Sequence, residues 1–307
     1  MSPIPIFKQA RKAGDYDLYA GQAWYLPGAG GVFALLGWFL LGNLLASALL
    51  GVFALFVPSV IIERYGMLVV YPLSFLPAML YASAKSRKNS FFEPGYKLNS
   101  SHFGPFSPWQ IGLITLLLTL GTMITADLPN YWNYRLTTMH PFMARFYETI
   151  QALMQGMTGG PFWSSFLLAA VFAPVFEEWL CRGMVLRGLL SRMKPAWAIV
   201  LSALFFALIH MNPWQALNAF VIGVVMGYVY YKTGSLLLTM LIHFVNNGIA
   251  VVLSQFPSLE GADYWIDFLP SGVYAAVYVA GVCALVAGLW AFHRIPLQQE
   301  RGNIDGV

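Results

Sequence analysis

The sequence predicts an all-α integral membrane protein with about eight transmembrane helices, and three observations lead there. Hydrophobic residues make up 58% of the 307-residue chain and charged residues only 10%, far from the roughly 45–50% and 25% of a water-soluble domain. The apolar residues are gathered into runs that approach or exceed the length needed to cross a bilayer, about 20 residues in a helix. The basic residues fall as short clusters between those runs, which is the pattern of membrane topology. The formal charge of +4 therefore does not indicate a nucleic-acid partner; the expected surroundings are a lipid bilayer.

The elements follow in order. Residues 1–30 form a cytoplasmic N-terminal segment with Lys8, Arg11 and Lys12 and no apolar core of signal-peptide type, so the first apolar run is expected to stay in the protein. Apolar runs then lie at 31–56, 66–84, 108–126, 162–188, 196–211, 213–231, 235–254 and 272–293. Very short breaks such as Met193-Lys194-Pro195 and Lys232-Thr233-Gly234-Ser235 make the helices beside them antiparallel neighbours. Two connections are longer, 85–107 and 127–161, and in the second the stretch from Pro141 to Met157 reads as either an amphipathic interfacial helix or a plain loop. Trp24, Tyr25, Trp132 and Trp265, beside span ends, read as interfacial anchors. Cys181 and Cys283 both lie inside apolar runs, so no disulfide is expected. The whole chain, 1–307, reads as a single polytopic membrane domain without internal repeats.

Charge orients it. With the amino terminus inside, the cytoplasmic side holds thirteen basic residues, and the outside holds three, Arg64, Arg135 and Arg145. Basic residues are retained on the cytoplasmic side, so both termini are expected there, with an even number of crossings.

Charged groups inside a bilayer cost about 2.5–3.5 kcal/mol each on insertion scales and mark functional sites. Within the predicted spans the acidic residues are Glu177 and Glu178, the clearly internal basic residue is Arg182, and the histidines are His210 and His243. Glu178 and Arg182 stand four apart on a helix and can pair. Glu177 is rotated by about 100° from Glu178, so the two carboxylates point different ways and one can be structural while the other serves chemistry. His243 and Asn247 again stand four apart, as do Phe206 and His210. Counted from Lys194, Glu177 and His210 lie 17 residues before and 16 after, level across a tight helical hairpin.

Taken together, Glu177-Glu178-Trp-Leu-Cys-Arg182, Phe206-Ala-Leu-Ile-His210 and His243-Phe-Val-Asn-Asn247 resemble the motifs of the CPBP intramembrane protease family. That family includes the type II CAAX prenyl endopeptidases and bacteriocin-processing or immunity proteins. The resemblance covers roughly residues 170–250. It implies an eight-helix fold with a catalytic core at 162–254, helices 4 to 7, and a conical cavity open to cytoplasm and lipid. It also implies cleavage of a peptide bond near the carboxyl terminus of a membrane-anchored substrate. Glu177 and His210 would activate water, and His243 and Asn247 would stabilise the oxyanion.

The chemistry has two readings at this stage. Glu177 and His210 can act as a general base on water, with an imidazole and an amide donating to the oxyanion in a low-dielectric site. Alternatively, Glu177, His210 and His243 form a His-His-Glu set able to hold Zn2+ with an open fourth position. Glu178 and Arg182 are expected to support the site as an ion pair, and Cys181 and Phe206 are candidates to line its cavity. A cysteine nucleophile at Cys181 is a minor alternative. Rival functions are a non-proteolytic scaffold or bacteriocin-immunity protein and a proton-coupled transporter. Short loops without an organelle signal favour a prokaryotic cell membrane.

Overall fold

In the computed structural model the described residues are 25–85, 103–158, 160–256 and 264–296, with only the backbone described over 153–158. Most of the N-terminal segment, including Trp24, and most of the basic connection after residue 85 lie outside them. Among the described residues every regular element is helical. We number them α1 (Ala29–Phe53), α2 (Ser59–Lys85), α3 (Pro108–Thr138), α4 (Pro141–Thr158), α5 (Phe162–Leu190), α6 (Pro195–Ile209), α7 (Pro213–Thr233), α8 (Leu236–Leu253), α9 (Trp265–Phe268) and α10 (Ser271–His293).

Each of the eight apolar runs forms a helix, but among the described residues six helices are long and apolar enough to cross a membrane: α1, α2, α3, α5, α8 and α10. The exceptions are the two arms of one hairpin. Helix α6 has only 15 residues, and α7, at 21 residues, is diluted by Gln215, Asn218, Lys232 and several tyrosines. Helix α3 also runs on to Thr138 instead of ending near 126. Its last three turns carry Asp127, Asn130, Asn133 and Arg135; hydropathy reports contact with lipid, and helicity continues past it. The stretch from Pro141 is a helix, α4, which settles the alternative left open by the sequence.

The turns follow from their residues. Ser107 and Gln110 form a capping box at the start of α3, with Pro108 in the first turn. Asn212 accepts from the backbone N–H groups of Trp214 and Gln215 to cap α7. Gly234 ends α7 at φ 65°, where a side chain is disfavoured, and Ser235 at once caps α8 through Leu238 N–H.

Small residues let the outer helices close on one another, as expected where lipid offers no hydrophobic drive. A Cβ at Gly42 of α1 would stand 2.0 Å from the Ser74 carbonyl of α2, and one at Gly121 of α3 would stand 2.5 Å from the Leu285 N of α10. Large apolar side chains such as Phe33, Leu44, Leu80, Val279 and Trp290 point outward; in a bilayer these faces meet lipid. The buried centre lies between α5, α6, α7 and α8, around Leu180, Met184, Phe206, Met226 and Ile242.

Helix α5 is irregular at this centre. Wide π-turns over Leu167–Phe172 and Trp179–Leu186 flank a short α-helical piece, Ala173–Glu178. Pro174 has no N–H to give to the carbonyl one turn back, and its ring crowds that carbonyl. A widened turn just before it relieves both problems, and π-turns inside α-helices are frequent at functional sites.

Candidate active site

Glu177 sits on the α-helical piece of α5 and is 9% exposed. One carboxylate oxygen, Oε1, accepts the hydroxyl proton of Tyr71 from α2. The other, Oε2, is buried without a hydrogen-bond partner. It faces two imidazoles, with His210 Nε2 at 3.9 Å and His243 Nε2 at 4.0 Å.

Both rings are held from behind. His210 Nδ1 lies 2.7 Å from the Phe206 carbonyl oxygen; only a protonated Nδ1 can bond a carbonyl, so in the neutral ring Nε2 keeps its lone pair toward Glu177. His243 Nδ1 lies 3.1 Å from Glu178 Oε1, and the same argument makes it the donor. These tautomers follow from the hydrogen-bond network. The Phe206 ring meets both imidazoles edge to face, at centroid distances of 4.8 Å and 5.5 Å.

Glu178 and Arg182 pair as their spacing requires, at 2.8 Å, and both side chains are fully buried. Arg182 also donates to the Gly223 carbonyl of α7 at 2.9 Å and stands 4.5 Å above the Phe206 ring. The pair expected from the sequence is formed, and it also touches the site directly. The two carboxylates do point apart, yet they meet again through His243, Glu178 on its Nδ1 side and Glu177 on its Nε2 side.

Two placements differ from expectation. His210 does not lie within a helix: it is the C-cap of α6, at the tip of the α6–α7 hairpin, followed by Met211 at φ 49°. A polar tip explains why α6 stops after 15 residues. Cys181 and Phe206 do not line an open cavity, being 0% and 1% exposed; Phe206 is a packing wall between Arg182 and the imidazoles, and Cys181 faces the core. Asn247 lies one turn beyond His243 on α8, partly exposed, donating to the Ala169 carbonyl at 2.8 Å and accepting from Asn246 at 2.9 Å. It ties α8 to the first π-turn of α5, and its amide carries a second N–H.

The structure adds two residues that the sequence did not single out. Tyr71 is one tyrosine in an apolar run, with no spacing that relates it to Glu177. Asp127 is a third buried acid, 7% exposed, which the hydropathy boundary at 126 placed in a loop. It accepts from Trp265 N–H and from the Tyr274 hydroxyl, each at 2.9 Å.

Glu177, His210 and His243 carry the donor types of a His-His-Glu zinc site. Ligand atoms around a tetrahedral Zn2+ at about 2.0–2.1 Å stand about 3.3 Å apart, whereas here the separations from Glu177 are 3.9 Å and 4.0 Å. Among the described residues no three His, Cys, Asp or Glu side chains converge as a metal site. The three donors therefore stand wider apart than a bound Zn2+ would hold them, and would have to draw in around it. A water oxygen about 2.8 Å from each atom of either pair fits those separations without adjustment.

Residues 159–249 match the family model described as type II CAAX prenyl endopeptidase Rce1-like. The matched segment runs from the start of α5 into α8 and holds Glu177, Glu178, Arg182, His210, His243 and Asn247; it does not include Tyr71 or Asp127. This agrees with the resemblance to the CPBP proteases and makes the segment similar to a CAAX-type intramembrane protease domain. No curated protein and no solved structure matches the chain.

Proposed function

We propose that this protein is an intramembrane endopeptidase that hydrolyses a peptide bond of a membrane-anchored protein or peptide, using water activated by Glu177. One observation carries the reading: Glu177 Oε2 is buried, lacks a partner and faces two imidazole nitrogens. A buried carboxylate oxygen left unsatisfied costs stability, and a water held between it and His210 Nε2 removes that cost.

Glu177 takes a proton from this water as its oxygen attacks the scissile carbonyl, with His210 fixing the direction of attack. Negative charge then develops on the carbonyl oxygen. His243, with Glu178 against its Nδ1–H, gives that oxygen a hydrogen bond from Nε2 when its ring is doubly protonated and keeps the proton, and the remaining N–H of Asn247 supplies the second donor. Fixed donors in a site without bulk water are worth most as charge develops. The proton on Glu177 passes to the leaving amine. Arg182 holds the Glu178 carboxylate in place against His243, and so acts through His243.

The matched family description supports a lipidated, CAAX-like carboxyl terminus as the substrate class. The thirteen-to-three distribution of basic residues supports a cytoplasmic position for both termini, and the short loops support a prokaryotic cell membrane. Labelling of cysteines placed near Lys8 and Arg301 in intact cells checks the orientation: an impermeant reagent should leave both unlabelled.

The activity is tested with purified protein and a quenched, lipidated peptide. Glu177→Gln keeps size and hydrogen bonding but removes basicity, so hydrolysis should fall by about 10²- to 10⁴-fold. His210→Ala should fall comparably, and the double variant should be little worse, because groups acting as a unit are not additive. Turnover near wild type in a folded Glu177→Gln protein would remove the assignment.

A further inference from the structure

We infer that Tyr71 is a positioning residue for the reaction, selecting which oxygen of Glu177 acts as the base. The inference rests on the reading of Glu177 given above and adds to the catalytic segment a residue from a helix outside it.

A glutamate carboxylate has two equivalent oxygens and turns easily about its last torsion, which has a broad, roughly two-fold profile. Productive geometry needs one of them held against the water. Tyr71 breaks the equivalence, because its hydroxyl is bonded to Oε1 and leaves Oε2 to face His210 and His243. The Tyr71 ring is itself confined. It packs on Phe75 at 5.4 Å, and Phe75 contacts Phe39 of α1 at 4.9 Å and Phe176, the neighbour of Glu177, at 5.5 Å. The next residue, Pro72, lies inside α2 and leaves the Leu68 carbonyl without its helical donor. A rigid aromatic column thus runs from α1 through α2 to the residue beside the base, and its one polar end touches the base.

Among the described residues no other side chain is hydrogen-bonded to Glu177. His210 and His243 both address Oε2, and Glu177 has no cationic side chain at the third or fourth residue on either side. Without the phenol, both oxygens are free and the carboxylate samples orientations in which neither lies in register with His210. Misplacement by about 1 Å costs on the order of 10²-fold in rate. The substrate is not touched by Tyr71, so its binding should be insensitive to the change.

The test is Tyr71→Phe in the full-length protein in detergent or proteoliposomes, with Glu177→Gln in parallel. Tyr71→Phe should lower kcat by about 10- to 10²-fold at unchanged KM. Difference infrared spectra should show the Glu177 carboxylate stretch, identified as the band missing in Glu177→Gln, displaced in Tyr71→Phe. Unchanged kcat with an unmoved band overturns the role of Tyr71. If Glu177→Gln is inactive in that case, the general base stands and only the positioning role falls; an active Glu177→Gln removes both. Should Tyr71→Phe not fold, 3,5-difluorotyrosine at position 71 keeps ring and hydroxyl while making the donor more acidic. The carboxylate band must then move, and a band in its wild-type position is the overturning result.

Discussion

Two buried carboxylates, Asp127 and Glu177, solve the same problem differently. Asp127, near the end of α3, has both oxygens satisfied: the backbone N–H of Trp265 bonds Oδ1 and the Tyr274 hydroxyl bonds Oδ2. It joins α3 to α9 and α10. Glu177 has one oxygen satisfied by Tyr71 and one left bare before two imidazoles. Burial alone therefore does not mark a reacting acid. Our mark is an oxygen kept open at a cost while its neighbours are fixed, and by that measure α5 carries the proposed reacting acid and the α3–α10 joint is a clasp between helices.

The comparison can be broken most directly by exchanging the consequences. Glu177→Gln should lose about 10²- to 10⁴-fold in hydrolysis with no fall in Tm. A parallel fall in Tm would show that Glu177 is structural as well. Arg182→Ala should be next in size and of the opposite kind. It leaves Glu178 charged and fully buried, a loss of about 3–5 kcal/mol for a buried pair broken on one side, read as lower folded yield and Tm. The exchanged pair Glu178→Arg, Arg182→Glu should recover part of it; if the exchange is worse than either single change, the pairing does not carry the effect. Asp127→Ala should cost about 1–3 kcal/mol by stranding two donors, while turnover per folded molecule stays near wild type. Loss of turnover without loss of Tm would place Asp127 with Glu177 after all. Smallest of all, Cys181→Ala and dialysis against a chelator should each leave turnover unchanged within error; a chelator effect reversed by Zn2+ would reopen the metal reading.

The helical fold was readable because lipid imposes long apolar runs, and each run became a helix. What hydropathy could not give was helix that leaves the apolar layer, as in the last turns of α3 and in α4, and Asp127 was misplaced for that reason. The motif residues were readable because Glu177, His210, His243 and Asn247 are polar residues in apolar runs, and the depth count across Lys194 brought Glu177 level with His210. Their joining through His243 was not readable. It depends on which nitrogen faces which carboxylate, and on the π-turns that reset the faces of α5 around Glu177 and Glu178. Tyr71 left no trace in the spacing, because its contact is set by the packing of α2 against α5.

Helix α6 has one further consequence. Its 15 residues span about 22 Å at 1.5 Å per residue, against a hydrocarbon thickness of about 30 Å. The shortfall of about 8 Å is close to the width of one helix, about 10 Å with side chains. Helix α4 is what packs on the start of α7 there, with Phe146 and Tyr147 on Trp214 at 5.7 Å and 5.0 Å. Between them Gln151, Asn212 and Gln215 line a polar cavity of about 190 Å³. Helix α4 thus covers the start of the second arm of the hairpin, beside the tip that holds His210. For the hydrolysis proposed above, this arrangement sets the hydrogen-bonding side chains of Gln151, Asn212 and Gln215 near His210, where water for the reaction can be held.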